Sequence, residues 1–200
     1  MTETNEHNAS STKEEASLTD YRTQVKAWIA SDANVIFGNY STAHAACVVE
    51  EFAKSAKESI VLMSGAFARE FYGNDVFNAF VDASKRGVSI RIVTSDDPKA
   101  VDIDNLNALH DACAKGKVAF FVARYSGKES PTHFMVVDKK RYRLERGTHT
   151  PTEDPPLVQA EVCCNGVVRA SKLEDFFNLV WARLEIQSIK KNTKPSPMSR

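Results

Sequence analysis

The segment Pro131-Thr-His-Phe-Met-Val-Val-Asp-Lys-Lys-Arg-Tyr-Arg-Leu-Glu145 predicts a β-hairpin. The apolar run from Phe134 to Val137 is too short for a helix and is typical of a strand. Asp138 and the two lysines after it supply a polar turn. Residues 141–145 then alternate between polar and apolar side chains, as expected of a second strand.

Four side chains in this hairpin could form a binding site. Strand side chains alternate between two faces, so Arg141, Arg143 and Glu145 share one face of the second strand. The hairpin could bring His133 on the first strand beside them. One imidazole, two guanidiniums and one carboxylate would suit an anion or a phosphate group. A histidine satisfied within the core and arginines on a solvated edge would give the same pattern, so both interpretations stay open.

Composition indicates one ordinary globular domain. The chain has 200 residues, of which 42% are hydrophobic and 26% are charged, which is enough to build a core. The 26 basic residues equal the 26 acidic ones, so the formal net charge is +0. Without a basic field over the whole chain, any affinity for phosphate must be local.

The cysteines predict a reducing compartment. Cys47, Cys113, Cys163 and Cys164 lack metal-ligand spacing and lie in apolar segments. They are expected to be reduced core thiols rather than disulfides or zinc ligands. No signal-peptide pattern opens the chain, and no apolar run reaches the ~18 residues that span a bilayer. We therefore expect a cytoplasmic protein with no membrane contact, no metal and no other cofactor.

Hydrophobic periodicity predicts alternating helices and strands. Helices are expected near residues 18–29, 42–57, 76–85, 103–113 and from Ser171 onward, and strands at 34–37, 59–64, 88–94, 118–123 and 160–164, in addition to the hairpin. Ser41 is a candidate N-cap for the second helix, and Ser171-Lys-Leu-Glu174 forms a capping box for the last one. This order indicates a layered α/β domain, with a mixed sheet flanked by helices.

The ends of the chain are polar. Residues 1–16 are expected to form a disordered tail, residues 17–186 the domain, and residues 187–200 a basic flexible tail. No P-loop, GxGxxG, HExxH or GxSxG pattern is present, which argues against the commonest nucleotide-binding, zinc-protease and serine-hydrolase sites.

Further polar residues stand near strand ends, where open α/β sheets usually bind ligands. Ser64, Thr94, Ser95 and Asn165 stand near strand ends, and Ser64, Thr94 and Asn165 are candidate ligand-binding residues on this basis. The composition of Gly147–Pro156 predicts a loop after the hairpin. His149 in this loop is either a solvated residue or a ligand.

From about Ala33 to Leu184 the chain resembles one half of the phospholipase D superfamily. The similar segments are Ala56-Lys-Glu-Ser-Ile-Val-Leu-Met-Ser64, Phe77-Asn-Ala-Phe-Val-Asp-Ala-Ser-Lys-Arg-Gly-Val-Ser-Ile-Arg-Ile-Val93, the histidine hairpin and Asp175-Phe-Phe-Asn-Leu-Val-Trp181. The family signature is HxKxxxxD followed by a Gly-Ser strand. The resemblance implies the same half-domain fold.

The signature is eroded in this chain. If Asp138 takes the place of the signature aspartate, the family histidine falls on Pro131, the family lysine on His133 and the family glycine on Glu145. If His133 instead takes the place of the histidine, Met135 replaces the lysine and Lys140 the aspartate. We prefer the first alignment, because it keeps the turn aspartate and the strand lengths.

In the family, one histidine attacks phosphorus and a second, from another half or another protomer, protonates the leaving oxygen. The lysine holds the phosphate charge. A single motif per chain therefore implies a homodimer with His133 and Glu145 near its two-fold axis. Stand-alone bacterial relatives are often nucleases or parts of defence systems.

Three functions remain open from the sequence. The first is a non-catalytic binding or regulatory homodimer that associates with nucleic acid or a phosphorylated ligand. The second is a metal-independent phosphodiesterase or nuclease that uses His133 and Glu145 as catalytic residues, with Arg141 and Arg143 binding phosphate. The third is a structural partner-binding domain that docks through the helix of Trp28 or the helix of Trp181.

Overall fold

The computed structural model describes residues 4–39, 41–65, 73–94, 118–122, 132–145 and 160–192. In chain order the elements are α1 (Thr4–Ala30), β1 (Ile36–Asn39), α2 (Thr42–Ser55), β2 (Ser59–Ser64), α3 (Asn74–Lys85), β3 (Ser89–Thr94), β4 (Val118–Val122), β5 (Phe134–Val137), β6 (Arg141–Glu145), β7 (Ala160–Cys163) and α4 (Val167–Asn192). The predicted helix near residues 103–113 and the predicted loop Gly147–Pro156 lie outside the described ranges.

A mixed sheet of seven strands organises the described structure, in the order β1-β7-β6-β5-β2-β3-β4. β2, β3 and β4 run parallel to one another, and the other neighbouring pairs are antiparallel. In β2 five of the six residues are buried, as expected of a strand that helices cover on both faces. The predicted layered α/β class with a mixed sheet is confirmed.

Two hydrophobic cores lie on the two faces of the sheet. The larger one packs Phe52 of α2 and Phe80 of α3 against sheet residues such as Met135, and α1 covers it through Val25. The smaller one packs Phe177 and Trp181 of α4 against the opposite face of β2, β5 and β6. Trp181 therefore faces the core and is not itself a docking surface.

α1 and α4 are longer than the sequence predicted. α1 begins at Thr4, so it includes residues of the predicted N-terminal tail. α4 begins at Val167 and continues to Asn192, so Ser171 lies inside the helix, and the helix includes residues 187–192 of the predicted C-terminal tail. Glu, Lys, Ala and Gln are strong helix formers and extend a helix beyond its buried part. α2 begins where predicted, since Ser41 Oγ accepts the N–H of His44 at 3.1 Å.

Cys47, Cys163 and Cys164 are buried and form no disulfide, as predicted, while Cys113 lies outside the described residues. Burial raises the pKa of Cys47 to about 11 and that of Cys164 to about 12, so both stay protonated at neutral pH. Among the described helices, none combines the length and the hydrophobicity that crossing a membrane requires.

The β5–β6 turn is tied to the start of β2 by Asp138. Its carboxylate accepts the backbone N–H groups of Lys57 at 3.1 Å, Glu58 at 2.8 Å and Ser59 at 3.1 Å. Its own N–H donates to the Ser59 carbonyl at 2.9 Å. Asp138 and Lys139 both have positive φ, 51° and 57°, the geometry of a tight hairpin turn that Asp tolerates better than most residues.

We predict that Asp138→Ala lowers the free energy of unfolding by about 2–4 kcal/mol, because it removes an acceptor of three backbone hydrogen bonds and puts Ala at positive φ. Asp138→Asn keeps one acceptor oxygen and tolerates positive φ, so it should cost clearly less. Urea unfolding of both variants measures the difference. Equal losses for the two variants would contradict this role of the carboxylate.

Gly166 lies against the ring of Tyr142, just before α4. A Cβ atom at this position would come 2.4 Å from Tyr142 Cε1 and 3.1 Å from Cys163 Sγ. Tyr142 is buried, and its hydroxyl donates to Glu161 Oε1 at 2.5 Å, so the ring cannot move away cheaply. The close approach of α4 to β6 therefore requires glycine here.

We predict that Gly166→Ala lowers the midpoint of thermal unfolding by several degrees, corresponding to about 1–3 kcal/mol of overpacking. Gly73→Ala is a matched control, since no described atom lies within 4 Å of a Cβ at Gly73. Circular dichroism melts compare the two variants. If Gly166→Ala melts like Gly73→Ala, the packing argument is wrong.

Candidate functional site

Strand register brings the polar residues at several strand ends to one edge of the sheet. β1 ends at Asn39, which is paired with Ala160, and Ala160 is also paired with Glu145 at the end of β6. The Glu145 N–H donates to the His133 carbonyl at 2.9 Å. On the other side of β5, Phe134 is paired with Met63, so the end of β2 lies beside His133.

Side-chain alternation places these residues on one face of that edge. Met135 and Leu62 lie in the larger core. His133 and Ser64 are each two residues from one of them along the strand, so their side chains are on the same face. Arg143 is paired with Met135 across β5 and β6. The polar side chains therefore gather on the α1–α3 side of the sheet.

Asn39, His133, Arg143 and Glu145 form a connected group, which we call the polar cluster. His133 Nδ1 lies 3.6 Å from Glu145 Oε1. Arg143 donates through Nη1 and Nη2 to Glu145 Oε2, each at 3.2 Å, and through Nε to Asn39 Oδ1 at 3.1 Å. The 3.6 Å separation exceeds hydrogen-bond length, so the histidine is close to the carboxylate without a direct hydrogen bond to that oxygen.

The charges of Arg143 and Glu145 neutralise each other within the polar cluster. Arg143 and Asn39 are buried, and a buried guanidinium is tolerated only when a charge partner and hydrogen-bond acceptors surround it. Glu145 and Asn39 fill these roles. The cluster carries no net charge while the imidazole of His133 is neutral and one positive charge when it is protonated.

His133 connects the cluster to the surface. Its side chain is 21% exposed, compared with 5% for Arg143 and 9% for Glu145. The imidazole is therefore the most exposed part of the polar cluster, although its Nε2 atom is buried. A carboxylate beside an imidazole can orient the ring and stabilise its protonated form.

Ser64 and Thr94, which the sequence predicted as ligand-binding residues, end the paired strands β2 and β3 at the same edge. Both are buried. Their hydroxyl groups lie on the same face of the sheet as the polar cluster, because Ser64 follows the alternation of Leu62 and Thr94 that of Ile92. They extend the candidate site beyond β1, β5 and β6 to the ends of β2 and β3.

Arg141 and Asn165 do not lie at this edge, although both were predicted to bind the ligand. Arg141 Nη1 contacts Asp138 Oδ2 at 3.2 Å, and Asn165 Nδ2 donates to the Asp32 carbonyl at 3.2 Å. Arg141 and Glu145 are on one face of β6, but four residues of strand separate them by about 13 Å. β7 is antiparallel to β6, so Asn165 follows it at the far edge.

The far edge has its own set of structural ion pairs. Lys140 Nζ lies 2.7 Å from Asp32 Oδ1, and this hydrogen bond and charge lower the pKa of Asp32. Asp138 lies there too, as the structural turn residue that the sequence predicted. Arg141 and Asn165 therefore support the fold at this edge.

Asn39 is the member of the polar cluster that the sequence did not predict. The predicted strand ends at residue 37, whereas β1 continues through Gly38 to Asn39. The available signal was the position of Asn39 two residues after Phe37, which packs against the larger core, because alternate residues of a strand share a face. Pro131, Ser95 and His149 lie outside the described residues. Within the described part of the chain, no group of three or more His, Cys, Asp or Glu side chains is arranged to hold a metal ion.

Comparison with known proteins identifies the family. The sequence pattern of the family described as "Cardiolipin synthase, PLD-like domain" matches residues 49–149, about half of the chain. This match runs from the second half of α2 through β2, α3, β3 and β4 to the end of the hairpin. No curated protein matches the sequence.

Solved structures share the fold at low sequence identity. Nuc from Salmonella typhimurium, a phospholipase D family member, is 21% identical with a TM-score of 0.55, and the match covers 74% of this chain and 94% of Nuc. NucT from Helicobacter pylori is 12% identical with a TM-score of 0.52, covering 72% of this chain and 94% of NucT.

TrmBL2, an archaeal chromatin protein whose structure shows a novel mode of DNA binding, is 12% identical with a TM-score of 0.57. That match covers 90% of this chain and 66% of TrmBL2. The family match over the central strands and the shared fold lead to one conclusion: the chain belongs to the PLD-like domain family of the phospholipase D superfamily.

Proposed function

We propose that this protein is a non-catalytic member of its superfamily, a binding or regulatory homodimer that recognises the phosphate groups of nucleic acid at the edge holding the polar cluster. The observation that carries the proposal is the ion pair between Arg143 and Glu145, in which a carboxylate holds the guanidinium inside the protein. A family site for phosphate transfer needs its positive charge free to hold the substrate.

The position of Asp138 at the hairpin turn supports the alignment in which it matches the signature aspartate. In that alignment Pro131 replaces the attacking histidine, and proline can neither attack phosphorus nor donate a proton. His133 replaces the lysine, and Glu145 replaces the glycine.

Binding without turnover is consistent with the same residues. A protonated His133 would give the polar cluster one positive charge at its exposed side, and the hydroxyls of Ser64 and Thr94 could donate to phosphate oxygens. The fold is similar to that of an archaeal chromatin protein that binds DNA, which makes nucleic acid the first ligand to test. A homodimer would double the contacts along a duplex.

A second candidate function is a metal-independent phosphodiesterase, favoured by the 3.6 Å contact between His133 and Glu145. A histidine beside a carboxylate is a common arrangement in nucleophilic and general-base catalysis. Arg141 cannot take part in this site, since it lies at the far edge of the sheet. This candidate would therefore depend on His133, Glu145 and Arg143.

We predict that the protein binds a fluorescent duplex DNA and that His133→Ala weakens this binding by about threefold to tenfold, the loss expected for one hydrogen bond worth about 1 kcal/mol. Lys139→Ala, at the far edge, is the matched control and should bind like the wild type. Fluorescence anisotropy at fixed salt measures all three.

Incubation of the wild type and His133→Ala with DNA, RNA and bis-p-nitrophenyl phosphate in EDTA separates the two candidates. The binding proposal expects no turnover by either protein. Hydrolysis by the wild type that His133→Ala abolishes would establish the phosphodiesterase instead. Failure of the wild type to bind DNA or RNA would refute the nucleic-acid proposal.

A further inference from the structure

The outer surface of α4 exposes an unusual amount of apolar side chain. Six large hydrophobic residues are exposed among the described side chains, and four of them lie on this helix: Val167, Val168, Phe176 and Leu179. Val168 and Leu179 are each 74% exposed. Because these exposed apolar side chains are concentrated on one helix rather than scattered over the surface, they indicate a contact surface.

Four exposed residues of α4 follow the spacing of a coiled-coil seam. Val168, Lys172, Asp175 and Leu179 are separated by four, three and four residues, so they form one stripe along the helix. The opposite side of α4 carries Phe177 and Trp181 into the smaller core. We call these four residues the α4 seam.

We propose that the α4 seam packs antiparallel against the α4 seam of a second copy of this chain. In this arrangement Val168 contacts Leu179 of the second copy, and Lys172 contacts Asp175 of the second copy. A two-fold axis repeats both contacts, so the seam makes two apolar layers at its ends and two ion pairs between them.

The charges select this direction and this register. A parallel pair of seams would put Lys172 against Lys172 and Asp175 against Asp175. An antiparallel pair shifted by one heptad would put Asp175 against Leu179 and leave Lys172 against Ala182. Only the proposed alignment gives each charge an opposite partner and each apolar residue an apolar one, which is how polar residues in a seam specify register.

The seam is short, so the association should be weak. From Val168 to Leu179 the helix rises only about 16 Å. The area that this seam can bury is therefore smaller than that of a standard protein interface. Val167 and Phe176 can add apolar contact at the borders of the seam. We expect self-association in the micromolar range rather than an obligate dimer.

This interface specifies the homodimer of the proposed function and differs from the one expected from the family. α4 covers the opposite face of the sheet from the polar cluster, so the two-fold axis would not bring the two His133 side chains together. The site does not require a second protomer to neutralise the charge of Arg143, because Asn39 and Glu145 of the same chain accept hydrogen bonds from this guanidinium. Each copy would then present its own site, and dimer formation would join two binding edges.

Sedimentation velocity of the full chain, over about 5–200 µM and with no ligand, tests the interface at concentrations around the expected micromolar Kd. We expect the wild type to dimerise and Leu179→Glu to raise its Kd at least tenfold. Lys172→Asp and Asp175→Lys should each raise the Kd about tenfold, because each places like charges together twice. The double variant Lys172→Asp/Asp175→Lys should return to within about threefold of the wild type.

Lys85→Asp, an exposed charge reversal on α3, is the matched control and should leave the Kd unchanged. Thermal melts confirm that each variant is folded. A wild type that stays monomeric, a dimer that survives Leu179→Glu, or a double variant no better than the single ones would each overturn the proposal. DNA binding is measured separately, so loss of the dimer and loss of the binding function are distinguishable.

Discussion

The carboxylate of Asp138 holds the hairpin against the start of β2, and the position of the candidate site depends on this contact. Asp138 accepts the backbone N–H groups of Lys57, Glu58 and Ser59 at one edge of the sheet. With that end held, β5 can run back along β2 in only one register. His133 therefore arrives beside the end of β2 at the opposite edge, four strand residues away. In the preferred sequence alignment, Asp138 takes the place of the signature aspartate of the phospholipase D superfamily.

The second constraint is the buried charge of Arg143. A guanidinium taken out of water must be neutralised and hydrogen-bonded, and Glu145 and Asn39 do both. In the preferred alignment Glu145 takes the place of the superfamily's glycine. Under the proposed function, the residue that neutralises Arg143 therefore also adds negative charge where the superfamily binds phosphate.

The polar cluster and the α4 seam lie on opposite faces of the sheet. The larger core and the polar cluster lie on the α1–α3 side, while α4 covers the other side with Phe177 and Trp181 inward and the α4 seam outward. A ligand at the cluster and a second copy at the seam would not compete for the same residues. This separation allows a binding edge to be carried by a dimer without the shared active site that the superfamily mechanism requires.

The local sequence pattern was sufficient to predict the helices and strands and to predict which residues share one face of a strand. The bounds of β2, the β5–β6 hairpin and the layered α/β class followed from apolar runs and alternation, because these depend on neighbours along the chain. The same alternation correctly put Arg141, Arg143 and Glu145 on one face. Helix ends were less predictable, as α1 and α4 show, since residues with strong helix propensity extend a helix without any buried stripe to mark it.

Tertiary structure decided which end of each strand belongs to the site. Arg141 and Asn165 have the chemistry of ligand-binding residues but lie at the far edge, while Asn39, more than 90 residues before the hairpin, completes the cluster. The sequence determined the strands and their faces, because a period of two depends only on the chain itself. The site was decided by the order and direction of the strands, because these come from hydrogen bonds between segments far apart in the sequence, which no local pattern contains.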